Sequence, residues 1–302
     1  MLDIYFLSGK INSLEKKFID YEKCKKLIEC KTIEEFISVL EGTFFKLPAP
    51  IRKVEEIFDF FENERVKLIE EIKNIFEAEI LYFFLLKYDY YNLANLIENK
   101  NNHWLQGTIN FYDLKDAYHN NNFSKIPEII EDTIIKIKSK DQIEEKLLIL
   151  KIDYYEKIYE VSKKISDFIN GYVRIEIDFA NINTYLNLKF FEKEIEVEKF
   201  IKNGKIKVDN FWDEDKLKKS FFSQYKNELI LSEEEIEMAR YKILIDYLKY
   251  ARIKPYGIDK IVSFYLAREI EIENLQRLTI SKFYKQDENF LKKIMIKPYQ
   301  YK

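Results

Sequence analysis

The chain has 302 residues, is 47% hydrophobic, and sets 50 Lys plus Arg against 53 Asp plus Glu, enough apolar material for one large core or two to three small ones and nothing that reads as disorder. The basic residues are interleaved with acids rather than clustered, which argues against nucleic acid as a partner. The longest strongly apolar run, residues 80–86, ends at Lys87, far short of the ~20 residues of a membrane span, and Asp3 and Lys10 break any signal-peptide pattern, so a cytoplasmic protein is expected.

In chain order, the first expectation concerns Cys24 and Cys30, the only cysteines. If residues 10–30 form one helix, six positions place their Cα atoms ~9 Å apart on nearly opposite faces, beyond disulfide reach. Reduced, inert thiols follow. Thr32 with Glu35 has capping-box spacing. Ile69, Ile72, Phe76, Ile80 and Phe83 then draw one helical stripe. The segment from Asn99 to Asn102 marks a break. His103 and His119, the only histidines, lie 16 positions apart in Asn-rich turns, without the i, i+3 or i+4 spacing of helical ligands, so no metal site is expected.

Asn120 to Asn122 break the pattern again, and Pro127 suits the first turn of the next helix. Apolar residues at 143, 147, 150, 154, 158, 161, 165 and 168 predict a helix of some eight turns over 142–170. Asn203-Gly204-Lys205 is a further break. The alternation of Ile206 and Val208 against Lys and Asp makes 204–211 the one candidate for a short strand. Ser232 with Glu235 repeats the capping-box spacing, and Glu233 to Glu235 suit a helix N-terminus. Pro255 and Gly257 open a predicted helix of more than 25 residues. The six glycines, at 9, 42, 107, 171, 204 and 257, are all isolated. None can build a P-loop or dinucleotide turn, so no nucleotide or other cofactor is expected.

One pattern recurs three times: an acid, Asn three positions on, Leu or Ile next, and Lys eight after the Asn. The copies are Asp89/Asn92/Leu93/Lys100, Asp178/Asn181/Ile182/Lys189 and Glu271/Asn274/Leu275/Lys282. Glu71, Asn74 and Ile75 start the same pattern but meet Tyr82 where Lys should stand. The Asn residues are 89 and 93 positions apart, which predicts an all-α chain of three degenerate helical units, about 1–105, 106–195 and 196–302. On a helix the motif forms one stripe with charged ends. Acid and Lys lie about 16 Å apart and cannot pair with each other. Asp89 also fits an N-cap with Asn92 at N3. Because a catalytic site needs distinct groups converging once, the repeated residues read as structural joints rather than ligand contacts.

The three acidic-x-x-Asn-Leu/Ile segments, Pro255-Tyr256-Gly257-Ile258 leading into the stretch from Tyr265 to Leu275, and Leu40-Glu41-Gly42-Thr43-Phe44-Phe45 together resemble the C subunits of V/A-type ATPases, known as d subunits in eukaryotes. The likeness covers essentially the whole chain and is most specific in the last helix. It implies a funnel-shaped, all-helical protein of three similar units around a pseudo-threefold axis. It also implies a non-catalytic role: a socket that takes the foot of the central shaft (D- and F-type subunits), rests on the membrane rotor ring (c/K-type subunits), and transmits torque for proton or sodium transport. Gln276, where the family often has Arg, and Phe45, where Tyr is more usual, mark a divergent member. A terpene-synthase-like enzyme would need clustered acids that are missing here. A helical-repeat adaptor is the alternative, although solenoids use shorter and more numerous units.

Overall fold

The computed structural model describes residues 3–100 and 104–300. Among them every regular element is helical. In chain order the α-helices are α1 (Ile4–Leu14), α2 (Tyr21–Glu29), α3 (Ile33–Val39), α4 (Val54–Ile75), α5 (Ala78–Ile97), α6 (Phe111–Asn120), α7 (Glu128–Lys138), α8 (Ile143–Ile165), α9 (Asp167–Phe190), α10 (Glu214–Tyr225), α11 (Glu233–Arg252), α12 (Ile258–Phe283) and α13 (Glu288–Ile294). Short 3-10 segments occupy Glu15–Lys17, Val197–Lys199 and Val208–Trp212. The chain divides into a discontinuous unit, Met1–Ile75 with Glu234–Lys302, and a continuous one, Phe76–Glu233.

The discontinuous unit is built on α12. Ile261, Val262, Phe264, Tyr265, Ile272, Leu275 and Leu278 on this helix are all buried, on every side rather than on one stripe, and a helix apolar all round has to be enclosed. The enclosure comes from α4, α1, α3 and α13. Phe18, between α1 and α2, meets Phe44, Phe264 and Tyr299 at ring-centroid distances of 5.6, 5.4 and 5.2 Å, contacts worth ~0.5–1.5 kcal/mol each beyond area burial. Asp20, Thr32 and Asp287 cap α2, α3 and α13 by accepting the N–H groups of Lys23, Glu35 and Phe290. Gly257 precedes α12 at φ 126°, a backbone state open to glycine and strained for other residues.

In the continuous unit α8 is the hub, with α5, α7 and α9 against it and α6 on α5. Leu85, Leu86 and Leu93 of α5 and Ile169, Ile175, Ile177, Phe179 and Ile182 of α9 are buried. Phe221 of α10 packs edge-on against Phe179 at 5.8 Å. The C-terminal residue of α6 is followed by Asn121, and that of α10 by Lys226, both in the left-handed conformation.

Several expectations are corrected. Residues 10–30 are not one helix: the chain leaves α1, makes a 3-10 turn and restarts at Tyr21, because Asp20 serves as an N-cap. The stripe through 142–170 is two helices. Ser166, in extended backbone, ends α8 and caps α9 through the Ile169 N–H, so Phe168 belongs to α9. The Ile69 to Phe83 stripe likewise crosses from α4 to α5. The reciprocal half of the Thr32 capping box is shifted, since Glu35 accepts from Lys31 rather than Thr32. Pro127 stands one place before α7, as its N-cap. His119 sits in the last turn of α6, and His103 lies outside the described residues. Residues 204–211 are a bent segment running into a 3-10 turn. Its N–H groups at Lys205 and Ile206 bond a carboxylate, not a neighbouring strand.

Candidate functional site

Asp89 is no N-cap: α5 begins at Ala78, so Asp89 is mid-helix and fully buried. Its Oδ2 accepts the Thr108 N–H at 3.0 Å and the Thr108 hydroxyl, and its Oδ1 accepts the Ile109 N–H at 3.1 Å. One turn on, the Asn92 amide grips Leu105 at both ends, accepting its N–H at 3.1 Å and donating to its carbonyl at 2.7 Å. Three-residue spacing puts acid and amide on the same helix face. Together they do for the chain at 105–109 what a neighbouring strand would do: they satisfy backbone groups, part-buried at Leu105 and Thr108 and buried at Ile109, that have no ladder.

The second copy repeats the geometry on α9. Asp178 accepts the N–H groups of Lys205 and Ile206 at 3.1 and 3.0 Å and the Tyr225 hydroxyl, and Asn181 grips Ile201 at 2.8 Å in both directions. On α12, Asn274 grips Ile296, accepting at 2.9 Å and donating at 3.1 Å. Glu271 reaches a different part of the chain, accepting the Ile19 N–H at 2.7 Å. The first two clasps lie in the continuous unit and the third in the discontinuous one.

Two residues that the motif leaves out complete the first two clasps. A Cβ at Gly107 would stand 2.0 Å from Asp89 Oδ1, and one at Gly204 2.1 Å from Asp178 Oδ1. Each glycine directly precedes the residues whose N–H groups the acid accepts. The shared tripeptides Gly107-Thr108-Ile109 and Gly204-Lys205-Ile206 were the available signal.

The lysines do not share one environment. Lys100 lies beyond the end of α5, exposed and paired with Glu98 at 2.8 Å. Lys189, in the last turn of α9, is exposed and bonds Glu214 at the start of α10. Lys282 is buried and donates to the carbonyls of Ile28, at 3.2 Å, and Cys30 at the end of α2. A left-handed residue stands two positions beyond the end of each helix: Asn99 after α5, Glu192 after α9 and Lys285 after α12. The first helix thus ends a turn earlier relative to its Asn, which leaves Lys100 outside it.

Burial dominates the electrostatics of the acids. It pushes Glu271 up to about 8, against the Ile19 N–H, Arg268 and Lys23, which favour the charged form. Asp178 rises only to about 6, because the hydrogen bonds from Tyr225, Ile206 and Lys205 oppose burial more strongly. One Glu271 oxygen, Oε2, is buried with no hydrogen-bond partner.

A second polar cluster lies between α5, α7 and α8. Asp153 receives Tyr90, Thr133 and Lys157, with Lys136 at 3.4 Å. Burial pushes the Asp153 carboxyl up, but those hydrogen bonds outweigh it and hold it below the usual range. Beside it Lys87, Tyr90, Ala94, Leu147, Leu150, Lys151 and Tyr154 line an open groove of about 210 Å³. Lys151 is committed to the Ala180 carbonyl and Thr184 hydroxyl at 2.8 and 2.7 Å. Cys24 is a free, buried thiol pushed up to about 12 by burial, then by Glu271 and Asp20. Among the described residues no group of three or more His, Cys, Asp or Glu is arranged to hold a metal, and no helix is long and apolar enough to cross a membrane.

Comparison with known proteins agrees with the sequence likeness. The chain is 23% identical over 312 aligned positions to the C subunit of the V-type sodium ATPase of Enterococcus hirae, an alignment covering 93% of this chain and 94% of that protein. The profile of the ATP synthase (C/AC39) subunit family matches residues 7–293. With the match running through all three clasped helices, this all-helical chain belongs to the ATP synthase (C/AC39) subunit family, that of the V-type ATPase C subunits.

Proposed function

We propose that the protein is a non-catalytic central-stalk subunit of a rotary V/A-type ATPase. In this reading it is a socket that joins the central shaft to the membrane rotor ring and passes torque between ATP turnover and proton or sodium movement. The observation that carries it is the family match over residues 7–293. The partners are the D- and F-type shaft subunits on one side and the c/K-type ring on the other, and the chain works in the cytoplasm, peripheral to the membrane.

The clasps suit such a part. Torque loads a body by sliding its helices against the segments that connect them, and the bidentate hydrogen bonds of the buried Asn92, Asn181 and Asn274 side chains resist that sliding better than apolar contact alone, because hydrogen bonds are directional. The threefold recurrence supports three similar helical units around a common axis, with Asp89, Asn92, Asp178, Asn181, Glu271 and Asn274 as joints.

The test is reconstitution. Purified chain, mixed with shaft subunits and detergent-solubilised rotor ring from the same organism, is expected to co-sediment as a bridge between the two. Binding to neither, together with isolation of an intact rotary ATPase lacking the chain, would remove the proposal.

A further inference from the structure

α12 gathers distant parts of its unit. Glu271 holds Ile19, Lys282 holds Ile28 and Cys30, and Asn274 holds Ile296. Glu271 is the odd fastening. Asp89 and Asp178 both use their two oxygens, whereas Glu271 accepts one N–H on Oε1 and leaves Oε2 buried and unpartnered. A buried carboxylate with an unmatched oxygen is costly, and a proton on that oxygen removes the charge.

We infer that Glu271 is a proton-held latch: it is neutral in the closed protein and loses its proton when the N-terminal segment carrying Ile19 lifts from α12. The groups around it fit that state. Arg268, one turn earlier, is committed to Glu71 of α4 at 2.6 Å and lies over the Phe44 ring at 4.2 Å. From α2, Cys24 faces Glu271 as a neutral thiol and Lys23 contributes a positive charge, with Asp20 close to Cys24. The other helices packed on α12 carry their charges elsewhere. Lys10 of α1 and Glu34 of α3 are exposed, Glu35 of α3 is on the Lys31 N–H, and Lys292 and Lys293 of α13 pair with Glu288 and Glu234.

The sign of the linkage follows. Burial raises Glu271 from 4.5 to about 8, so between those values the closed state holds a proton that the open state has lost. The stabilisation is complete below pH 4.5 and is lost as pH rises through about 8. Alkaline conditions therefore free the segment bearing α1 and α2, and with it the exposed Tyr5 and Phe6.

Amide hydrogen exchange across residues 4–29, corrected for the intrinsic rate, tests the latch. The opening constant is expected to rise by roughly tenfold per unit between pH 6 and 7.5 and to level off near pH 8. Glu271→Gln, which keeps an acceptor for Ile19 and is neutral at every pH, is expected to abolish the rise. Infrared spectroscopy at pH 7 supplies a second readout: a protonated-carboxyl band present in the native protein and missing in the variant. Parallel exchange profiles for the two proteins, or no such band in the native one, would overturn the latch.

Discussion

On α9 the acid meets three donors, all from chain that follows it by 27 to 47 residues. On α12 the acid meets a single donor, 252 residues earlier in sequence. Both carboxyls are buried, yet Asp178 rises only to about 6 and Glu271 to about 8. The contrast separates two quantities that burial alone would merge. Desolvation raises both, and the number of donors decides how far. It also separates two ways of closing a clasp. The continuous unit closes its two from its own following segments, whereas the α12 clasp needs residues from both ends of the chain, at a higher cost in loop closure.

The largest expected effect breaks the α9 and α5 clasps sterically. Gly204→Ala and Gly107→Ala drive a methyl to about 2 Å from a carboxylate oxygen, and neither the helix nor the return segment can yield without losing its hydrogen bonds. Each is expected to destabilise by ~3 kcal/mol or more in denaturant unfolding. Gly9→Ala in α1 has nothing within 4 Å and is expected to be neutral or stabilising by up to ~1 kcal/mol. Equal, small effects at all three positions would show that the glycines do not belong to the clasps.

Amide replacement of the two acids sharpens the comparison next. Above pH 6 Asp178 is ionised and all its contacts are donors, so Asp178→Asn turns an NH₂ toward at least one of them and is expected to cost ~2–3 kcal/mol at pH 7.5. Glu271→Gln, with one donor and one empty position, is expected to cost far less. The pH profiles differ too. The Asp178 contribution is complete below its ordinary value of 3.8 and lost as pH rises through about 6, so unit-specific exchange in Phe76–Glu233 should flatten above pH 6 with respect to this group. A cheap Asp178→Asn would mean that one of its donors is not engaged.

Legibility of the sequence divides along physical lines. Period and breakers predict long helices well, because the stripe is local: Pro255 and Gly257 do open a helix of 26 residues. A stripe cannot reveal a cap inserted in phase, so Ser166 is invisible until its backbone is seen in extended conformation. The acid and Asn of each copy are legible as a spacing, since both sit on one rigid helix. Their partners are not. The gripped residue lies 13, 20 or 22 positions after the Asn, because loops of different length return to equivalent places. Glu271 hid its partner most completely, since Ile19 belongs to the other end of the chain.

The smallest effects belong to the lysines, and they test how far the repeat extends. Lys189→Met removes an exposed pair with Glu214, 57% and 33% exposed at the side chains, which solvent screens and side-chain entropy offsets. About 0.5 kcal/mol or less is expected. Lys282→Met strands the carbonyls of Ile28 and Cys30 at the end of α2, where Lys282 also supplies the positive charge that a helix C-terminus favours. A cost of ~1–3 kcal/mol is expected, concentrated in exchange from residues 21–30. If the two substitutions cost the same, Lys189 and Lys282 share a role and the motif is a four-residue joint. If they differ as stated, the joint is the acid and the Asn alone, and Lys282 is a separate fastening specific to the unit that both ends of the chain must close.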